Sequence, residues 1–327
     1  MENQKAFPDN GNWYKGNLHS HSTNSDGCLT PEESVALFKE NGYHFLCLSE
    51  HDLYTNLTEE LSGESFLLIP GVEASAVLYE EESANRIKLH HIHGILGTRE
   101  MQEQAQELFR EKIEPFVQRK YYGEWNGQEA AQELVDTLTK KGCFTIYNHP
   151  IWSKVDGEDF LNTEGLIGME IFNYNTVNES GTGYDVTYWD ALLRKGKRVY
   201  GFASDDNHNE GFFDDACGGY IVVKAKSLTH DDIITAIMKG DFYSSAGPEI
   251  YDWGIQDNRV YVKCSPVNRV NFIAGNYVNA GTTVLCDTIE ETMEEASFVL
   301  KGDESYIRIE CIDKNGKTAW SNPIFLK

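Results

Sequence analysis

The sequence has no apolar run near the roughly 18 residues that a membrane span requires. Its first residues, MENQKAFPDNGNWYKG, carry no apolar stretch of the secretory kind. No membrane partner is expected, and the expected location is cytoplasmic. The seven cysteines (Cys28, Cys47, Cys143, Cys217, Cys264, Cys286 and Cys311) are odd in number, scattered, and form no C-x-x-C pair. That excludes a disulfide framework and a zinc ribbon, and reads as buried thiols in a reducing compartment. Positive charge is scarce: 28 Lys and Arg stand against 52 Asp and Glu, for a net charge of −24. Such a surface repels polyanions, so duplex nucleic acid is not an expected partner. A small anionic substrate remains compatible where bound cations reverse the local field. The G-x-S-x-G elbow and the Walker loop are both missing, so neither a serine hydrolase nor a P-loop site is expected.

What is present suits one large unit and one small one. From about residue 16 to 246, short apolar runs alternate with amphipathic stretches. Strands are predicted at 16–20, 44–49, 66–70, 88–96, 143–148, 166–172, 198–203 and 220–224, and helices at 31–41, 101–117, 127–141, 186–195 and 230–239. Alternation of this kind implies a parallel sheet or barrel. Thr30-Pro31-Glu32-Glu33 reads as a capping box with proline in the first turn. After Ala246-Gly247-Pro248 the texture changes to short alternating runs at 259–264, 270–274, 296–300 and 306–312, separated by turn signals. These predict an all-β sandwich. The expected division is a barrel over 1–247 and a small sandwich over 248–327.

Most of the ten histidines lie at the ends of predicted strands. In NLHSHSTNSDG, His19 and His21 are two apart, so on a strand they share a face, and Asp26 follows in a turn closed by Gly27. Two imidazoles with a carboxylate are what borderline divalent metals prefer. In LSEHDLY, His51 ends an apolar strand between Glu50 and Asp52. Glu73 lies just past a strand in LLIPGVEAS. In KLHHIHGIL, alternation puts His91 and His93 on one face and His90 on the other; His91 is the favoured ligand and His93 the second candidate. His149 ends a strand in TIYNHPIW, and VYGFASDDNH supplies Asp205, Asp206 and His208. His44 and His230 read as structural. A barrel brings its strand ends to one mouth, so six such ends offering a His or an acid converge there.

The ordered set HSHSTNSDG, SEHD, GVE, HHIHG, NHP and SDDNH resembles the polymerase and histidinol phosphatase (PHP) family of metal-dependent phosphoesterases over roughly residues 16–247. The resemblance implies an α/β fold, a distorted, TIM-like (β/α)7 barrel, with a two- or three-metal site of Zn, Mn or Fe. By similarity, one metal takes His19, His21, Glu73 and Asp206. A second takes Asp26, His51 and His208, and a third takes His91 and His149 with Glu73 bridging. The segment RIECIDKNGKTAWSNPIFL resembles the end of the C-terminal β domain that some members carry.

The expected chemistry is hydrolysis of a small phosphate ester or nucleotide by a metal-activated hydroxide, since a metal lowers the pKa of bound water from 15.7 toward about 7. Glu50, Asp52 and Asp205 are expected to orient ligating imidazoles, Asp205 being also a substitute ligand. His93 is the expected proton donor to the leaving group, and Asn173 is expected to face the site. The same motifs suit hydrolysis of a carboxyl ester, amide or carbamate. They also suit a non-enzymatic metal-containing binding module, although structural metal sites are usually closed and four-coordinate. A basic group facing the metals would favour phosphate. The sequence does not place Arg86, Lys88, Arg110, Lys112, Arg119 or Lys120, nor does it give the oligomeric state.

Overall fold

The computed structural model describes residues 3–81 and 83–326. Its central sheet contains β1 (Asn12–Asn17), β2 (Phe45–Leu48), β3 (Leu67–Tyr79), β4 (Arg86–Leu96), β5 (Cys143–Tyr147), β6 (Leu166–Asn173), β7 (Tyr200–Ser204), β8 (Tyr220–Ala225) and β9 (Phe242–Ser245). The order is β9-β8-β1-β2-β3-β4-β5-β6-β7. Four neighbouring pairs are parallel: β1–β2, β2–β3, β5–β6 and β6–β7. The strand β4 runs antiparallel to both β3 and β5, which breaks the regular β/α alternation.

The sheet curls until its end strand β7 approaches β1, but no continuous ladder closes it. Contact between β1 and β7 is carried beyond both strands, by the single bridge Ser20–Asn207 and by two bonds, Asp206 N–H to His19 O (2.9 Å) and His21 N–H to Asn207 O (3.1 Å). A closed seven-stranded barrel is thus only partly realised. The reason is local: after His19 and Ser204 the two chains turn into irregular segments, and Asp206 takes φ +57°. A residue in that conformation cannot continue a ladder.

The helices cover the outer face for the reasons written in the sequence. Helix α1 (Pro31–Glu40) starts in the predicted capping box, with Thr30 Oγ1 accepting from Glu33 N–H and Glu33 Oε2 accepting from Thr30 N–H (2.8 Å). Helix α2 (Gly127–Lys140) buries Ala130, Ala131, Leu134, Val135 and Leu138 on one stripe against the sheet. Helices α4 (Val186–Arg194) and α5 (His230–Lys239) lie close to their predicted spans. A short α3 (Tyr174–Ser180), unanticipated by pattern, is capped by Asn173, whose Oδ1 accepts from Thr176 N–H (3.0 Å).

Two predicted elements differ from what forms. The helix expected over 101–117 stops at Gln104. There the N–H groups of Gln106 and Glu107 donate to Lys140 O, and Ile113–Pro115 pairs with Leu53–Thr55 as an added strand. Pro115 cannot supply a helix-interior N–H, so the alternative partners win. The strand expected to end at Pro70 continues to Tyr79 and folds back as β4 in a long hairpin.

Beyond β9, Ile250–Gln256 and Arg259–Val267 form an antiparallel sheet with Gln4–Lys5 and Met293–Val299. Opposite it, Arg269–Ala274 pairs with Tyr306–Ile312, which pairs with Thr318–Ser321. One apolar cluster that includes Trp253, Val260, Val262, Phe272, Ile307 and Ile309 joins them. The expected separate sandwich is modified, because Thr318–Ser321 also pairs with β9 and makes that ladder continuous with the central sheet. Four of the seven cysteines are buried, Cys28 is exposed, and all are free thiols. Among the described residues no helix is long and apolar enough to cross a membrane.

Candidate metal centre

Residues at the open end of the sheet meet because β1, β2, β5 and β7 stop there, while Glu73, expected just past a strand, and His91 lie inside β3 and β4, which run on past it. His19 and His21 follow β1, and Asp26 sits in the next turn. That turn is held by Gly27, whose N–H donates to Ser22 O (2.9 Å); an added Cβ there would lie 2.4 Å from His21 O. His51 follows β2 and bridges to Glu73 on β3. The β3–β4 register sets Glu73 opposite His93 and Ser75 opposite His91, so His91 and His93 turn inward. His149 follows β5 with φ +21°, and Asp206 and His208 follow β7. Two left-handed non-glycine residues, His149 and Asp206, thus lie in one cluster, and strained backbone of this kind concentrates at functional sites.

Glu73 is the hub. Its fully buried carboxylate lies 3.2 Å from His19 Nε2, 3.6 Å from His21 Nε2 and 2.8 Å from His51 Nδ1. His91 Nδ1 is 3.1 Å away, and His149 Nε2 is 3.2 Å away. Asp206 lies 2.9 Å from His19 Nε2, 3.0 Å from His21 Nε2 and 3.6 Å from His149 Nε2. Farther out, Asp26 lies 3.5 Å from His208 Nε2, 3.6 Å from His51 Nε2 and 4.0 Å from His21 Nδ1. All nine residues singled out as ligands are therefore brought together.

The donor atoms pass a test of fit for divalent cations. Two donors about 2.0–2.2 Å from one tetrahedral ion sit on the order of 3.3 Å apart. The spacings of His19 and His21 from Glu73 and Asp206 run from 2.9 to 3.6 Å. His19 Nε2 and Glu73 Oε2 are fully buried, yet make no hydrogen bond of acceptable geometry among the described residues. Buried polar atoms are rarely left so without a partner. Four overlapping donor groups result, three of them about Glu73 and Asp26: His19, His21, Glu73 and Asp206; His21, Asp26, His51 and His208; and His51, Glu73 and His91. Clusters of this composition fit divalent metal binding.

Electrostatics within the cluster favour ionised carboxylates among imidazoles. Burial would raise the Glu73 and Asp206 carboxyls, but His19 and its neighbours hold both well below the usual carboxylate range. Burial would lower His149, yet Glu73, Asp206 and Glu170 push it up to about 9. His208 rises to about 9 as well, burial being outweighed by Asp26 and Asp206. His21 goes the other way, down to about 3, by burial and by the neighbouring His51 and His208.

The expected helpers sit around this set rather than in its mouth. Glu50 accepts from Ser22 N–H (3.0 Å) and Ser25 Oγ (2.5 Å), fixing the loop that carries Asp26. Asp52 accepts from Ser75 N–H (2.8 Å), the Ser75 hydroxyl and Gln118 Nε2 (3.0 Å), which ties the chain after His51 to β3. Asp205 accepts three backbone N–H groups, from Cys217, Gly218 and Gly219, at 2.8, 2.8 and 2.7 Å. Its carboxylate therefore anchors a loop and does not line the cavity. His93 is buried edge-on against the His19 ring, centroids 4.2 Å apart, away from the cavity lining. Asn173 does face the centre, donating to Asp206 Oδ2 (3.0 Å). His90 points outward and stacks on Trp125, while His44 and His230 bond to backbone.

A cavity of about 260 Å³ opens over the cluster, lined by Asp26, His51, His91, His149, Asp206 and His208 and by Arg86, Trp152, Asn175 and Phe213. Sequence pattern named Arg86 without placing it, because the hairpin that carries it to the mouth was not foreseen. It missed Glu170, a lone acid inside an apolar strand.

No protein-family model matches the chain. It is 44% identical over 70 residues to the 5′-3′ exoribonuclease Rnm of Escherichia coli (strain K12), a stretch covering 20% of this chain and 24% of that protein. The corresponding Salmonella typhimurium protein is 43% identical over 70 residues, again 20% of this chain and 24% of its own length. The chain thus spans about a quarter of the length of the curated relatives it matches. It is similar to PHP-like metal-dependent phosphoesterases of known structure. One is a two-domain protein from Bacteroides vulgatus containing a predicted PHP-like metal-dependent phosphoesterase: 15% identity, TM-score 0.47, 99% of this chain and 98% of that one. Another solved structure, an amidohydrolase from Chromobacterium violaceum, has 16% identity and a TM-score of 0.38, covering 60% of this chain and 88% of that one.

Proposed function

We propose that this chain is a PHP-type phosphoesterase that hydrolyses a small phosphate ester or nucleotide with two or three divalent ions, Zn, Mn or Fe. The observation that carries the reading is the hub itself: one buried carboxylate, Glu73, within 3.6 Å of five imidazoles, four from the ends of β1, β2 and β5 and one from the middle of β4. A stability-driven core does not assemble this, since uncompensated buried charge is costly. His19, His21, Glu73 and Asp206 would hold one ion, and His21, Asp26, His51 and His208 another, with His91 and His149 completing the set about Glu73. When bound, the ions supply an acidified water and neutralise charge on a phosphoryl group.

The chain's own residues do the remaining work. Asn173 fixes the Asp206 carboxylate through its amide. Glu50 and Asp52 set the loops that carry Asp26 and His51. At the mouth, Arg86 is an exposed guanidinium with no ion pair among the described residues, on the wall of the same cavity. A cation there favours an anionic substrate over a neutral ester or amide. Residues 1–247 would carry this chemistry, with 248–327 as an accessory unit.

The test is elemental analysis of purified protein, followed by assay against phosphomonoesters, phosphodiesters and carboxyl esters with and without a chelator. Chelator-sensitive hydrolysis of phosphate esters supports the reading. Hydrolysis confined to carboxyl esters or amides replaces it with the other hydrolase class, and no hydrolysis at all leaves a metal-containing binding module.

A further inference from the structure

Glu170 lies in β6, in the sequence GMEIFN, and is 1% exposed. Nothing in the apolar pattern of that strand calls for a carboxylate. Its four hydrogen bonds explain its presence. Oε1 receives His19 Nδ1 at 2.6 Å and the Ser204 hydroxyl. Oε2 receives the His149 backbone N–H at 3.2 Å and Asn173 Nδ2 at 3.1 Å. One carboxylate therefore touches two of the nine clustered residues and the amide that steadies a third, Asp206.

Glu170 with His19 and His93 also forms a donor group compact enough to suggest a further ion. The distances argue against that. Donors sharing one tetrahedral ion sit on the order of 3.3 Å apart, whereas His19 Nδ1 and Glu170 Oε1 are 2.6 Å apart. That is the length of a charge-assisted hydrogen bond. It leaves no room for a cation between the two atoms, and the other Glu170 oxygen is already engaged by two N–H donors.

We propose that Glu170 is a positioning residue for the metal centre: by accepting the Nδ1 proton of His19 it commits the Nε2 lone pair of that ring to the cluster, and by accepting the His149 N–H it fixes the backbone from which the second imidazole projects. This rests on the metal-dependent reading above. A ligating imidazole whose other nitrogen donates to a carboxylate is oriented and made more basic, and losing such a partner typically costs 10–100-fold in metal affinity or activity. The geometry of His149 makes the second contact as important as the first. Its φ of +21° is an unfavourable conformation, and its N–H bond to Glu170 helps to hold it, beside the bond from Ser153 N–H to His149 O.

The experiment is calorimetric titration of metal-free full-length protein with Zn²⁺ and Co²⁺, comparing wild type with Glu170→Gln and Glu170→Asp. Gln keeps the volume but loses the charge. Asp keeps the buried charge but is one methylene short of reaching His19 and His149 together, and it guards against a Gln variant that fails to fold. Both variants are expected to bind about 10–100-fold more weakly. Their Co²⁺ visible spectra should be altered whatever the change in metal-free Tm, and kcat should fall with little change in KM. A purely structural role would shift Tm and leave the Co²⁺ spectrum alone. Wild-type affinity and an unchanged spectrum in both variants overturn the inference while leaving the hydrolase reading standing. A wild-type protein that takes up no divalent ion overturns both.

Discussion

Asp26→Asn separates one donor group from the others. Asp26 belongs only to the outer group, with His21, His51 and His208, whereas Glu73 serves two groups and His21 serves two. It is also 58% exposed at the side chain, with donors 3.5–4.0 Å away. The exposed Asp26 leaves no cavity when replaced, but it is the carboxylate that raises His208, so the variant's metal response is compared with its own metal-free baseline. An ion held at 100 times its Kd adds about 2.7 kcal/mol to stability. With an unfolding entropy of roughly 2.1 cal/mol/K per residue, the 327 residues give about 0.7 kcal/mol/K, so one ion is worth about 4 °C in Tm. Differential scanning calorimetry with and without added metal, paired with elemental analysis, measures both quantities. The expectation is one ion fewer per chain and a metal-induced rise in Tm smaller by about 4 °C, measured from the variant's own metal-free Tm. The same number of ions and the same rise in Asp26→Asn would refute the assignment of an outer site.

Three further outcomes follow from the same geometry. In metal-free protein, His149 has a folded pKa of about 9 against about 6.5 unfolded, so its contribution is full below pH 6.5 and is lost as pH rises through 9. At 1.36 kcal/mol per unit that is on the order of 3 kcal/mol. His21, depressed to about 3, acts oppositely as pH falls below 6.5. Metal-free Tm should therefore peak near pH 6.5, while metal affinity climbs from pH 6.5 to 9 as imidazole protons leave; a Tm that rises steadily to pH 9 contradicts the charged cluster. Arg86→Gln should raise KM for phosphate esters about fivefold, a loss near 1 kcal/mol for an exposed cation, with kcat nearly unchanged, and equal KM values would remove Arg86 from the site. Arg308, buried on the strand Tyr306–Ile312, holds Asp190 of α4 through two bonds of 3.0 and 2.9 Å and also bonds Glu310. Arg308→Ala should cost roughly 3–5 kcal/mol in urea denaturation, and a cost under about 1 kcal/mol would show that this pair does not couple the two parts of the chain.

Much of the centre was legible because its chemistry sits where chain geometry is simplest. His19 with His21 and His91 with His93 share faces through a two-residue period, and His51, His149 and Asp206 follow apolar runs that had to be strands. What was not legible depended on long-range pairing. The β3–β4 hairpin, which carries Arg86 to the mouth, runs through a Pro-Gly pair that reads locally as a stop. Helix 101–117 failed because Lys140 and Leu53–Thr55 offered its backbone better partners than its own i−4 carbonyls. Asp52 and Asp205 look like site acids by sequence, yet their oxygens are taken up by Ser75 and by the N–H groups of residues 217–219. Glu170 is the converse: nothing beside it in sequence marks it, and only folding brings His19 to it.

The most direct measurement is an anomalous difference map from crystals of metal-loaded protein, collected at the absorption edges of zinc, iron and manganese. The account predicts peaks at the open end of the sheet, one within coordination distance of His19, His21, Glu73 and Asp206 and a second near Asp26, His51 and His208. Peaks confined to the protein surface, or a centre in which His19 Nε2 and Glu73 bond only to each other and to water, would contradict it.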